Sequence, residues 1–331
     1  MSLLLGLMGR IGPKFNRGNL RALRPAFDAI DSFLFCAGHR TDRAPHVRDP
    51  NNVKRYTLAV VAALLPIIAA AVYFFGWRIV AMIGVTYVTG LAIELGFAMF
   101  RKEALHEGLL VTSLLYPLIL PPQLPFWMTA AGIAFGVVVG KELFGGTGRN
   151  FLNPALAGRC FLQIGLHADW SSLLFGTASA SGVSGGCAGE VCSVLIILAG
   201  VFLVLAGVVN WRTILSLLGS FAILAGVAAW ASPEAFGRPG WTPPAVAAWH
   251  LQAGGLLFGA VFLAADPATS PVSNLGKWIY GVTIGASTFL IRYLSGCVEG
   301  VMFAILLGNV AAPLCDKIAT HVHLRKLRYE G

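Results

Sequence analysis

The chain has 331 residues, of which 56% are hydrophobic and only 12% are charged. A water-soluble fold of this composition would expose far more apolar surface than monomers tolerate, which argues against a soluble enzyme, a DNA-binding domain and a disordered chain. The formal net charge is +9, so the position of the basic residues decides whether nucleic acid is an expected partner.

Residues 1–55 form a basic region before the first apolar run and hold ten of the 24 Lys and Arg residues. Apolar residues recur at spacings of three and four from Leu20 to Leu34, which predicts one amphipathic helix on the membrane surface. The short apolar run at Met1–Leu5 does not fit a signal peptide. The region is either an anchor for anionic lipid headgroups or a docking segment for a partner subunit.

From Tyr56 onward the sequence is a series of apolar runs, and a bilayer requires about 20 apolar residues for each spanning helix. The pattern predicts an all-α integral membrane protein with about ten transmembrane segments, three of them broken half-helices. Irregular backbone is tolerated in a bilayer only where it is buried in protein or lines a cavity. The continuous runs are 57–76, 79–100, 125–143, 192–209, 213–231, 277–294 and 298–315, and the short or broken runs are 107–121, 153–167 and 246–265.

The distribution of Lys and Arg predicts the orientation of these segments. With ten spans, 20 of the 24 basic residues fall on the inner side, three fall on the outer side, and Arg159 lies within a segment. This asymmetry predicts that both termini are cytoplasmic. It also accounts for the excess of positive charge without nucleic acid.

An internal repeat relates the two halves of the chain. Phe135–Gly140 resembles Tyr280–Gly285 at an offset of 145 residues, and Gly108–Leu110 resembles Gly255–Leu257 at an offset of 147. Five spans in each half would make the second half inverted, as in many transporters. Chance similarity between small residues of membrane helices is the alternative. The predicted units are a first five-helix repeat at 56–168, an outer periplasmic loop at 169–191, a second five-helix repeat at 192–318 and a basic cytoplasmic tail at 319–331.

The stretch from Lys141 to Arg159 is the most informative in the chain. Its glycines permit close approach of the backbone to a partner, and its pattern is neither a Walker loop nor GxGxxG. If the first turn of the fifth span is helical, Asn150 and Asn153 share a face and can bind a planar heterocycle through their amides. Alternatively, this is a re-entrant turn in which the two amides satisfy freed backbone groups.

Four acidic residues, Glu94, Asp266, Glu299 and Asp316, lie within spans or at their ends. An ionisable group inside a bilayer is costly and is usually paired or functional. Asp266 and Asp316 are expected at the inner ends of the eighth and tenth spans, where a solvated helix end is the alternative.

Two cysteines of the outer loop, Cys187 and Cys192, either form a disulfide or remain two free small residues. No spacing of His and Glu resembles a metal site.

The Lys141–Arg159 stretch closely resembles the NqrB/RnfD family, which comprises the NqrB subunit of the sodium-translocating NADH:quinone oxidoreductase (Nqr) and the related RnfD subunit of the Rnf complex. The long basic region before the first span is more similar to the quinone-reducing subunit than to the Rnf relative. Further motifs of the family follow along the chain at Arg101–Lys102, Glu107–Ser113, Ala265–Pro267, Gly276–Trp278, Glu299–Gly300, Ala304–Leu306 and Ala312–Leu314.

The resemblance implies an electron-carrying subunit of a six-subunit complex in the bacterial inner membrane. That complex would be a sodium-translocating NADH:ubiquinone reductase, passing electrons through flavin to ubiquinone or menaquinone. The implied cofactors are a non-covalent riboflavin and a covalent FMN. The implied site residues are Gly145, Gly146, Thr147, Arg149, Asn150 and Asn153 for riboflavin, Gly90 and Glu94 for quinone, and Asp266 and Asp316 for sodium.

The loop that carries covalent FMN in this family departs from the family pattern. The family uses the Thr of an Asp-Gly-x-Ser-Gly-Ala-Thr motif, whereas this chain has only Ser181-Gly182-Val183-Ser184. Attachment to Ser184 and a plain flexible loop are therefore both open. A ferredoxin:NAD oxidoreductase subunit of the Rnf type, and a channel or facilitator without redox activity, are the alternative functions.

Overall fold

The computed structural model describes residues 53–101, 108–146, 149–165, 187–231, 242–295 and 299–330, and all regular structure within these ranges is helical. This confirms the predicted all-α class. In chain order the helices are α1 (Val53–Phe75), α2 (Arg78–Arg101), α3 (Gly108–Leu118), α4 (Phe126–Gly140), α5 (Pro154–Gly165), α6 (Ser193–Leu205), α7 (Trp211–Ala231), α8 (Pro243–Gln252), α9 (Leu256–Phe258), α10 (Asn274–Ser295) and α11 (Val301–Glu330).

Five helical segments in the described part of the chain are long and apolar enough to cross a membrane. Large apolar side chains extend outward from the bundle, so that Leu205 on α6 is 83% exposed and Trp230 on α7 is 79% exposed. Such a surface suits lipid rather than water, and the chain is therefore a multi-pass membrane protein. The segments are Tyr56–Phe75, Arg78–Arg101, Phe126–Phe144, Trp211–Ala231 and Val301–Arg325.

The short and broken segments lie where the sequence predicts them. α3 and α5 have only 11 and 12 residues. α8 and the helix over Leu256–Ala264, which is a π-helix from Gly259, are bent by 64° at their break and count together as a sixth candidate span. Gly254 and Gly255 form this break with φ values of 64° and 67°, which residues with a side chain rarely adopt.

Two arginines satisfy backbone carbonyls at these interruptions. Arg78 at the start of α2 donates to the carbonyls of Pro122, Gln123 and Leu124, just after α3. Arg292 near the end of α10 donates to the carbonyls of His250, Ala253 and Gly254, where α8 ends. Both were expected in outer loops, but both lie within helices. Arg292 is only 3% exposed, because it supplies donors that water cannot supply in a bilayer.

Helix packing follows a similar scheme in the two halves. In the first half α4 packs against α2 and α5, and in the second half α10 packs against α7 and α11. The halves meet where α1 packs on α6 and where α5 packs on α11. The inverted repeat and the count of ten spans remain predictions, because two further apolar helices, α3 and α6, are shorter than a full span.

The last helix, α11, extends to Glu330 and so passes beyond residue 318, where the second repeat was expected to end. No glycine or proline lies between Pro313 and Glu330, so the helix can continue through the polar residues of the predicted tail. The expectation that Asp316 lies at a helix end is therefore wrong.

Candidate functional site

The glycine-rich turn between α4 and α5 is built by two residues with positive φ. After a short 3₁₀ turn at Glu142–Phe144, Gly145 (φ 105°) and Gly146 (φ 90°) reverse the chain. The Gly146 N–H donates to the carbonyl of Lys141 at 3.1 Å, which closes the turn. Residues with a side chain rarely adopt such φ values, so the turn depends on glycine at both positions.

The two asparagines of the turn differ in their roles. Asn153 immediately precedes α5, and its Oδ1 accepts the N–H of Ala155 at 3.1 Å as a helix cap. Asn150 lies in the non-helical part, so the expectation that both residues share a helical face is wrong. Among the described residues no group bonds the buried Oδ1 of Asn150. Asn153 therefore does partly what a re-entrant turn requires, while Asn150 has an acceptor available.

Two side chains close the turn from outside. Arg149 is exposed and its Cδ passes over Gly145, where an added Cβ would lie 3.2 Å from it. The rings of Phe144 and Phe151 pack with centroids 5.7 Å apart on either side of the glycines. Thr147, the remaining residue of the predicted riboflavin set, lies outside the described residues, as does Ser184.

A pair of buried charges connects this turn to α2. Lys141 donates to Oε1 of Glu94, and both residues are almost completely buried. Next to them, Arg101 forms an ion pair with Glu142 at 3.2 Å. Burial of an ion pair is costly unless each charge is matched, and here each acid has its own base.

Gly90 lies on α2 one turn before Glu94, on the same buried face. A Cβ at Gly90 would lie 2.8 Å from Cδ1 of Leu109, so glycine permits α3 to approach α2 closely. The predicted quinone residues and the predicted riboflavin turn are therefore neighbours, joined by the Glu94–Lys141 pair. The role of Lys141 was not predicted, because a lysine at the end of a span looks like an ordinary interfacial charge.

Asp266 and Asp316 also lie near one another, on either side of the segment 266–273. Oδ1 of Asp266 accepts the Tyr56 hydroxyl and the Ala268 N–H, both at 3.2 Å. Asp316 accepts the N–H groups of Val272 and Ser273 at 2.9 Å and the Ser273 hydroxyl at 2.5 Å. Both oxygens of Asp316 are therefore occupied, whereas among the described residues Asp266 accepts hydrogen bonds through Oδ1 alone.

A second buried cluster joins the two halves of the chain. Arg159 of α5 is fully buried and donates to Glu299, to the Ile119 carbonyl and to the Cys187 sulfur, the last at 3.1 Å. Cys187 and Cys192 are free thiols, so the disulfide alternative is wrong. Because Arg159 binds both the thiol and the carboxylate, this donor set is an ion-pair network rather than a cation site.

A further acid completes this cluster. The carboxylate of Glu190 lies within 4.8 Å of the ligand atoms of Cys187 and Glu299. Burial, and then the charge of Glu299, raise the pKa of Glu190 to about 7. Glu190 is therefore protonated in a substantial fraction of molecules near neutral pH, which lets one arginine balance two neighbouring acids.

The geometry thus defines a multi-pass membrane protein whose broken helices hold buried charges and one open amide acceptor. Residues 40–324 match the family model described as the NQR2, RnfD, RnfE family, and the chain belongs to this family. It is 31% identical over 403 residues to the NqrB subunit of the Na(+)-translocating NADH-quinone reductase of Pseudomonas aeruginosa, covering 98% of each chain. It is 32% identical over 375 residues to the subunit of the same name from Azotobacter vinelandii, covering 91% of this chain and 92% of the relative.

Proposed function

We propose that this chain is the electron-carrying membrane subunit of a sodium-translocating NADH:quinone oxidoreductase, assembled with five other subunits in the bacterial inner membrane. Its two termini would lie on the cytoplasmic side. The names of its relatives favour the quinone-reducing complex over the Rnf relative. The observation that carries the proposal is the turn at Gly145–Asn153, with its unpartnered amide oxygen.

Riboflavin fits the donors and acceptors that this turn offers. The Asn150 Oδ1 is a buried acceptor that lacks a partner among the described residues, and an isoalloxazine ring carries an N–H that can donate to it. Asn153 uses its Oδ1 for the helix cap, so its amide nitrogen is left to donate to a ring carbonyl. A bound flavin would supply the exchange between two-electron and one-electron chemistry that quinone reduction requires.

The quinone would bind beside Gly90 and Glu94, next to the flavin turn. The Glu94–Lys141 ion pair supports this placement, because it holds a charge at the membrane level close to both groups. Lys141 would keep Glu94 fixed in place while the apolar surroundings exclude water.

Asp266 is the better candidate for a sodium ligand of the two predicted acids. A carboxylate oxygen suits a hard cation such as sodium. At Asp316 three donors already occupy the oxygens, whereas Asp266 has Oδ2 available. We therefore place the sodium path at Asp266, with Asp316 fixing the adjacent loop.

Asn150→Ala tests the proposal in the whole complex. We expect NADH-driven quinone reduction and sodium uptake by inverted membrane vesicles to fall together by about tenfold or more, since a flavin group would lose its buried partner. NADH oxidation with a soluble electron acceptor should persist. The matched control is Asn210→Ala, because Asn210 caps α7 through the Arg212 N–H, far from the turn along the chain. Unchanged quinone reduction in the Asn150 variant would contradict the proposal.

A further inference from the structure

Asn309 is a buried amide within the apolar span of α11, and it is only 2% exposed. A polar side chain at membrane level is costly unless it is fully bonded, so its retention calls for a specific partner. Asn309 lies in the second half of the chain, whereas the flavin turn lies in the first.

With its amide oriented to satisfy both ends, Asn309 contacts three other groups. Its oxygen accepts the backbone N–H of Asn153 at 3.2 Å. Its nitrogen donates to the Ile305 carbonyl at 3.3 Å and to the Tyr280 hydroxyl at 2.8 Å. Asn153 and Tyr280 are also buried, at 4% and 0% exposure, so these bonds form away from solvent.

The bond to Asn153 fixes the start of α5 at the point where the turn ends. The N–H of a residue that precedes a helix has no partner within that helix, so an acceptor must come from elsewhere. Asn309 supplies this acceptor from α11, while the Asn153 side chain caps α5 itself. Asn150 lies three residues before this anchor, so the anchor sets where its open amide oxygen lies.

We propose that Asn309 is a positioning residue for the riboflavin turn, held in its own orientation by Tyr280. The inference rests on the proposed function, since it assigns Asn309 to the same site. It also means that the second half of the chain contributes to a site whose direct binding residues all lie in the first half. α11 thereby connects the turn to Asp316, which lies seven residues after Asn309 on the same helix.

The test uses the purified complex with Asn309→Leu, which keeps the side chain's size, suits the span and leaves the Asn153 N–H unpaired. We expect the affinity for riboflavin, measured by rebinding after depletion, to fall about tenfold, because a buried unsatisfied group shifts the turn. Asn309→Asp should restore binding, because a protonated carboxyl group offers an acceptor and a donor in the same shape. Thr320→Leu removes a hydroxyl from an exposed position on α11 and should leave the affinity unchanged.

Thermal unfolding of each variant separates positioning from general destabilisation. If Asn309→Leu binds riboflavin as the unaltered chain does, the inference is overturned. Loss of riboflavin in Asn309→Leu and Thr320→Leu alike, in step with a lower melting temperature, would also overturn it. An unaltered complex that contains no riboflavin would instead overturn the proposed function, and this inference with it.

Discussion

Arg159→Met is expected to destabilise the folded protein by about 3–5 kcal/mol, the largest effect of any single charge removal in the described part of the chain. Arg159 is fully buried and pairs with Glu299, while also binding the Ile119 carbonyl and Cys187. Its loss would leave a buried carboxylate without a counter-charge where α5 meets α11. Chemical unfolding of the purified protein in detergent measures the effect.

Two further variants identify the cause of this loss. Arg159→Met combined with Glu299→Met should recover most of the stability, since an apolar pair of similar volume often replaces a buried ion pair without cost. Arg212→Met should change the stability by less than about 1 kcal/mol, because Arg212 pairs only with an exposed amide of Asn274. If the double variant is as unstable as the single one, the ion pair is not what joins the halves.

Gly136→Val is expected to separate α4 from α5 and to release riboflavin. A Cβ at Gly136 would lie 2.2 Å from the Pro154 carbonyl oxygen and 3.0 Å from the Gly158 nitrogen, both backbone atoms that cannot turn aside. The start of α5 must therefore shift, and the turn that ends at Asn153 must shift with it. We expect a loss of about 1–3 kcal/mol in folding stability or more, together with loss of bound flavin.

Gly219→Val provides the matched control for this change. Gly219 lies in α7, and a Cβ there would have no neighbour within 4 Å. Both variants place the same β-branched side chain in a membrane helix, so they share any effect on helix propensity. Equal stability and flavin content in the two variants would show that the contact between α4 and α5 does not control the turn.

Local patterns in the sequence predict much of the fold and the location of the site. Runs of apolar residues predict the long helices, and prolines and glycines predict the interruptions at α3, α5 and the α8–α9 bend. Positive φ at Gly145 and Gly146 agrees with the predicted close approach of the backbone. These features depend on residues close together in the chain, which is why periodicity and composition detect them.

The contacts that join the two halves could not be predicted in this way. Glu299 is recognisable as a costly membrane acid, but its partner Arg159 lies 140 residues earlier, and no spacing reveals the pair. Asn309 was missed because one amide in an apolar run resembles a tolerated polar residue. The helical face expected for Asn150 and Asn153 failed for a local reason, since α5 begins at Pro154, where a proline is favoured at the first helical position.

The most direct test of the flavin turn is the riboflavin content of the purified complex, measured by acid extraction and chromatography. We predict riboflavin in equimolar amount with this chain, its near-complete loss in Asn150→Ala, and its retention in Asn210→Ala. Riboflavin that remains bound in the Asn150 variant, or that is absent from the unaltered complex, would contradict the assignment of the Gly145–Asn153 turn as its binding site.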